Sequence, residues 1–174
     1  SINADKAEAA AIQSSATHQI TYFQGNKAGA ISLTFDDGYP SQLNAGIPQL
    51  NMRGLKGTFF VITNSDWISG HVSWAAWRSV VAQGHEVAAH TVTHRDLTTL
   101  SEGEMRSELT ESQFAIGQNV PDQACASLSY PNTNSNSTIQ AAAAEYFVAA
   151  RGGFLGNDYL NYYQSGSDQS GSWS

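Results

Sequence analysis

Five short apolar runs alternate along this chain with four stretches of helical character, and that order leaves few folds open. Strand, helix and strand in repetition make parallel βα units, whose crossovers are right-handed and lay the helices outside the sheet. Residues 29–35 alternate apolar and polar and predict the first strand. Residues 56–63, 86–90, 124–130 and 146–150 predict four more. Helices are predicted over 41–51, with Pro48 as a break, over 74–83 with Gly84 as its stop, and over 135–145. A further helix runs to about residue 118. Ser101 caps it, and Glu104 sits at the capping-box spacing. The expectation is an α/β fold with parallel strands.

The chemistry gathers where predicted strands end. Thr34-Phe35-Asp36-Asp37-Gly38 closes the first strand, and His90-Thr91-Val92-Thr93-His94 closes the third. Parallel barrels place active sites at that end of the sheet. Two imidazoles four residues apart lie on one side of a helical turn or tight loop. With one carboxylate they make a facial metal triad that leaves positions for water and substrate. Zinc is the default ion, and cobalt, nickel or iron also suit two His and one Asp. Adjacent residues leaving a strand point in opposite directions, so the two aspartates can take different jobs. The carboxylate left over is a candidate general base, which is the composition of a metal-dependent hydrolase.

An apolar-Thr-Phe-Asp-Asp-Gly run followed by His-Thr-x-x-His resembles the polysaccharide deacetylases, carbohydrate esterase family 4. Gly57-Thr58-Phe59-Phe60-Val61 resembles that family's second barrel strand, and Gly84-His85-Glu86-Val87-Ala88-Ala89-His90 the strand that delivers the histidines. The resemblance is specific over roughly residues 30–100, with weaker echoes to about 155. It implies a distorted, incomplete (β/α) barrel. It assigns Asp37, with His90 and His94, to the metal and Asp36 to the base. Leu128-Ser129-Tyr130-Pro131-Asn132 resembles the third motif, which lines one wall of the groove. That implies substrate contacts for Tyr130 and Pro131, and an oxyanion-binding main-chain amide at Asn132, where Asn replaces the usual aromatic.

The chain also departs from the family. Many members carry an arginine, paired with the catalytic aspartate, where this chain has Ser129. Arg151, just past the fifth strand, has two readings: the missing charge arriving from another direction, or a surface residue. The family's closing Leu-x-His supplies a general acid toward the leaving group, and no histidine follows His94. Three explanations stand: the chain is cut short, another group protonates the leaving amine or alcohol, or the protein is impaired. The Ser/Gly-rich end, with Trp173 next to last, reads as a domain cut inside a loop. A C-terminal remainder or second fragment would then complete the barrel. The domain boundaries that follow are a lead-in over 1–28, an incomplete catalytic domain over 29–163 and a linker over 164–174.

The remaining candidates read more plainly. Trp67 lies in a predicted loop and is the better sugar-stacking platform, whereas Trp74 and Trp77 have helical spacing and belong to the core. His85 reads as a structural histidine, His71 as solvated, and His18 lies in the lead-in. Cys125 has no cysteine to pair with and reads as a buried apolar residue. At 174 residues the chain is one domain by size. Its net charge of −7, with only 8 Lys and Arg, argues against nucleic acid. No apolar run reaches the roughly 20 residues of a membrane span, and no signal peptide is visible. The polar, weakly charged composition (13% charged) is typical of secreted or periplasmic proteins.

The expected function is metal-dependent removal of acetyl groups from a carbohydrate. The acetylated polysaccharide or oligosaccharide is either a chitin-type N-acetylglucosamine chain or acetylated xylan. Two alternatives stay open: a catalytically weak carbohydrate-binding module on the same fold, and a metal amidohydrolase of small non-sugar amides.

Overall fold

The computed structural model describes residues 30–64 and 72–152. Five strands form one sheet in the order β1-β2-β3-β4-β5, every neighbouring pair parallel. They are β1 (Thr34–Phe35), β2 (Thr58–Val61), β3 (Glu86–Ala89), β4 (Ser127–Ser129) and β5 (Ala149–Arg151). The helices between them are α1 (Ile47–Met52), α2 (Trp74–Ala82), α3 (Glu102–Asn119) and α4 (Ser137–Ala144). Spatial order equal to chain order is the signature of a barrel wall, because a doubly wound sheet reverses direction at a switch point.

Register divides the side chains into two sets. Phe59, Val61, Val87, Ala89 and Leu128 share one face and are 0–2% exposed. The helices cover that face with Trp77 and Val80 from α2, Met105, Leu109 and Ile116 from α3, and Ile139, Ala142 and Ala143 from α4. The next residue in each strand points the other way. Phe60, Ala88, Ser129 and Arg151 therefore share the opposite face, and Asp36 and His90 continue it one step beyond β1 and β3.

The predicted strands shorten, the first to Thr34–Phe35 and the fourth to Ser127–Ser129, and two further boundaries move for local reasons. Pro48 does not break the first helix. A wide turn over Gln42–Gly46, with the Ile47 N–H bonded to the Gln42 carbonyl, leads into α1. Pro48 then sits in the first turn of α1, where its missing N–H is not needed. The fifth strand starts later than residue 146 and takes in Arg151. The Tyr146 and Phe147 amides bond back to the Ala143 carbonyl and prolong the end of α4.

The predicted capping box forms. The Ser101 hydroxyl accepts from the Glu104 amide at 3.4 Å, and the Glu104 carboxylate accepts from the Ser101 amide at 3.0 Å. Ser101→Ala is expected to destabilise the protein by about 1 kcal/mol in urea unfolding, the usual cost of losing an N-cap. A change below about 0.3 kcal/mol would remove the cap from the account of α3.

Candidate active site

His90 leaves the end of β3 with its ring 2% exposed. Its Nδ1–H donates to the Ser129 carbonyl on β4 at 2.8 Å. That bond fixes the tautomer and aims Nε2 at Asp37 Oδ1, 3.4 Å away. His94 Nε2 reaches the same Oδ1 at 3.4 Å, and the two imidazoles meet edge to face with centroids 4.8 Å apart. The backbone bends sharply to achieve this. Asp37, Gly38, Thr91 and His94 all take left-handed φ, between 61° and 79°. At Gly38 a Cβ would stand 3.1 Å from the Trp77 ring, a tight approach, and the φ of 79° also favours glycine.

The electrostatics suit a cation. The hydrogen bond from His90 holds the Asp37 carboxyl below the ordinary carboxylate range, against burial and with help from the charges of both imidazoles. Burial, then the charge of His90, holds His94 below the ordinary imidazole value, against the neighbouring carboxylates. A carboxylate and imidazole nitrogens are the forms in which these residues ligate. One donor atom each from Asp37, His90 and His94 lies within 4.8 Å of the others. The donor set, the fixed His90 tautomer and this convergence fit a divalent transition metal, zinc included.

Asp36 takes a different environment one residue away. Its Oδ1 pairs with the Arg151 guanidinium, and its Oδ2 accepts from the Ser129 hydroxyl at 3.3 Å. Oδ2 also stands 4.0 Å from His90 Nε2. The Gln42 side-chain amide donates to the Asp36 carbonyl, and Arg151 lies over the Phe60 ring at 4.9 Å. Arg151, read either as a charge for Asp36 or as a surface residue, is 22% exposed and turns its guanidinium toward Asp36. Ser129 touches the same carboxylate from the end of β4.

The other predicted residues divide. Tyr130 and Pro131, expected as substrate contacts, have buried side chains, and Tyr130 belongs to the core cluster at 5% exposure. Their packing leaves Asn132 as the exposed part of this wall. The chain turns there through two consecutive left-handed residues, Asn132 and Thr133. Trp77 is core, as expected. Trp74 packs on the core and also lines a narrow hollow beside Asp37, Gly38 and Thr63. Trp67 and His71 lie outside the described residues, as does His18. His85 is structural: its Nδ1 accepts from the Gly57 amide at 3.1 Å, and its Nε2–H donates to Asn51 Oδ1 at 3.1 Å. Burial pushes the Cys125 thiol up to about 12, which suits an inert core residue. Sequence reasoning missed Gln42 and Glu108. Glu108 had left one sign, an acid inside the buried stripe of a helix.

A cluster of two imidazoles and two carboxylates gathers at the carboxyl ends of parallel strands, where parallel barrels place their active sites. The polysaccharide deacetylase family matches residues 24–150, and the chain belongs to it. A gellan lyase from Bacillus sp is 33% identical over 77% of this chain, but over only 5% of its own length. A chitin deacetylase from Pestalotiopsis sp is 34% identical over 49% of this chain and 28% of its own. Among solved structures, the Streptococcus pyogenes deacetylase PplD in complex with acetate superposes with a TM-score of 0.63 at 25% identity. That match covers 70% of this chain and 56% of that one. The chain thus spans well under two thirds of these relatives. The shared fold is the incomplete, curled (β/α) barrel of this family, as the resemblance implied.

Proposed function

We propose that this protein hydrolyses acetyl groups from a carbohydrate, with a divalent metal, zinc by default, held by Asp37, His90 and His94. One observation carries the reading: adjacent carboxylates are committed to different partners, Asp37 to both imidazole Nε2 atoms and Asp36 to Arg151 and Ser129. The metal, when bound, polarises the acetyl carbonyl and acidifies water at neutral pH. Asp36 Oδ2, on the side toward His90, is the atom that accepts the water's proton. Arg151 and Ser129 fix the rotamer of that carboxylate. The Asn132 main-chain amide, on the exposed wall after Pro131, donates to the developing oxyanion. Trp67 adds a stacking surface for the sugar.

The substrate class is an N-acetylglucosamine chain, supported by the likeness to a chitin deacetylase; acetylated xylan is the competing class. No described helix is long and apolar enough to cross a membrane. Acetate release from chitooligosaccharides with none from acetylated xylan supports the first class, and the reverse selects the second. Sugar binding with no acetate released from either would leave a binding module.

Arg151→Ala is expected to keep zinc and lower kcat by up to about 100-fold, because a catalytic group displaced by about 1 Å loses that much. An unchanged kcat in that variant would remove Arg151 from the machinery.

A further inference from the structure

Helix α3 lays Met105, Leu109, Ser112 and Ile116 against the core, and Glu108 sits in that stripe at 7% exposure. A carboxylate so deprived of water persists when protein donors replace the lost hydration. Oε2 accepts from the Val92 amide at 2.8 Å and from the Thr93 amide at 2.9 Å, and Oε1 accepts from the Thr93 hydroxyl. All three donors lie between His90 and His94.

The same loop is held from its other side. The Thr63 and Asn64 amides, just past β2, donate to the Thr91 and Val92 carbonyls at 3.1 and 2.8 Å. Thr91 Oγ1 accepts from the His94 amide at 3.1 Å. The loop needs such ties, because it turns left-handed at Thr91, a β-branched residue for which that conformation is costly, and again at His94. Glu108 is the one carboxylate among these ties, and bonds from amides to a carboxylate are about twice as strong as neutral ones.

We propose that Glu108 is a positioning residue for the two imidazoles. It holds the His90–His94 loop in the conformation that turns both Nε2 atoms toward Asp37, and so sets metal affinity as well as local stability. This rests on the reading of Asp37, His90 and His94 as metal ligands. Glu108 acts through the Val92 and Thr93 backbone, one step removed from the ligands.

The test compares Glu108→Ala, Glu108→Gln and Ser112→Ala with wild type. Folding is checked by near-UV circular dichroism of the zinc-free proteins, and zinc affinity by competition with a chromophoric chelator. Ser112 is buried in the same stripe and donates only to its own helix, at the Leu109 carbonyl, so it controls for disturbing α3. Glu108→Ala is expected to weaken zinc binding by about 10- to 100-fold, the usual cost of losing a group that orients ligands. Glu108→Gln keeps the shape and one acceptor oxygen but not the charge, and should weaken binding by about threefold to tenfold. Ser112→Ala should bind zinc as wild type does. A folded Glu108→Ala protein that binds zinc within about twofold of wild type overturns the proposal. If that variant does not fold, the same result for Glu108→Gln overturns it. Equal weakening in Ser112→Ala also overturns it, since any disturbance of α3 would then suffice. A wild type that fails to bind one equivalent of zinc sinks the metal-ligand reading itself, a different outcome from any of these.

Discussion

Asp36→Asn is expected to bind one equivalent of zinc and to release acetate with a kcat lower by about 10²- to 10⁴-fold, the range a positioned general base contributes. The substitution keeps the shape of the side chain. An amide oxygen can still accept from Arg151 or Ser129, which hold the two carboxylate oxygens in the wild type. Asp37, which faces the imidazoles, is untouched. What is lost is the capacity to take a proton at Oδ2, together with the charge and the second acceptor oxygen that face Arg151 and Ser129. Arg151→Ala perturbs the same carboxylate by releasing it, so it should cost less than removing its basicity. Asp36→Asn turning over within about tenfold of wild type would end the assignment of Asp36 as the base.

His90→Ala should act at an earlier step. His90 is tied at both ring nitrogens, through Nδ1 to the Ser129 carbonyl and through Nε2 to Asp37, and its ring is almost wholly buried. Removing it takes away one donor and leaves the Ser129 carbonyl without this partner. Zinc affinity is expected to fall by more than about 100-fold, beyond what losing an orienting group costs, and acetate release should fall to background. His94→Ala should do the same to zinc while disturbing the core less, because its side chain is 23% exposed. Metal content after dialysis against a weak chelator separates the variants from wild type. Full zinc retention in either variant would contradict the ligand set.

The sequence revealed most where residue type and strand end coincide. Asp36, Asp37, His90 and His94 were legible because two short motifs of carboxylates and imidazoles follow the first and third strands, at the end of the sheet where parallel barrels place active sites. The parallel order of the strands followed from the alternation alone. Arg151 stayed open between two readings because its partner is distant in the chain, and only the β4–β5 register brings Arg151 and Ser129 side by side. Tyr130 packs in the core cluster, and its motif position alone does not say which way the ring packs. Glu108 is hidden in the sequence because a single acid in a helix reads as a solvated charge. Its donors are backbone amides, which the sequence does not display. Pro48 reads as a break because a sequence does not show the wide turn that lets a helix begin beside it.

The most direct test of the account is to titrate zinc into chelator-stripped protein while following acetate release from chitooligosaccharides and acetylated xylan. No release is expected without zinc, and release should rise with added metal and saturate at one equivalent on one substrate class. Undiminished release from the stripped protein, or one equivalent of bound zinc with no acetate from either class, would contradict it.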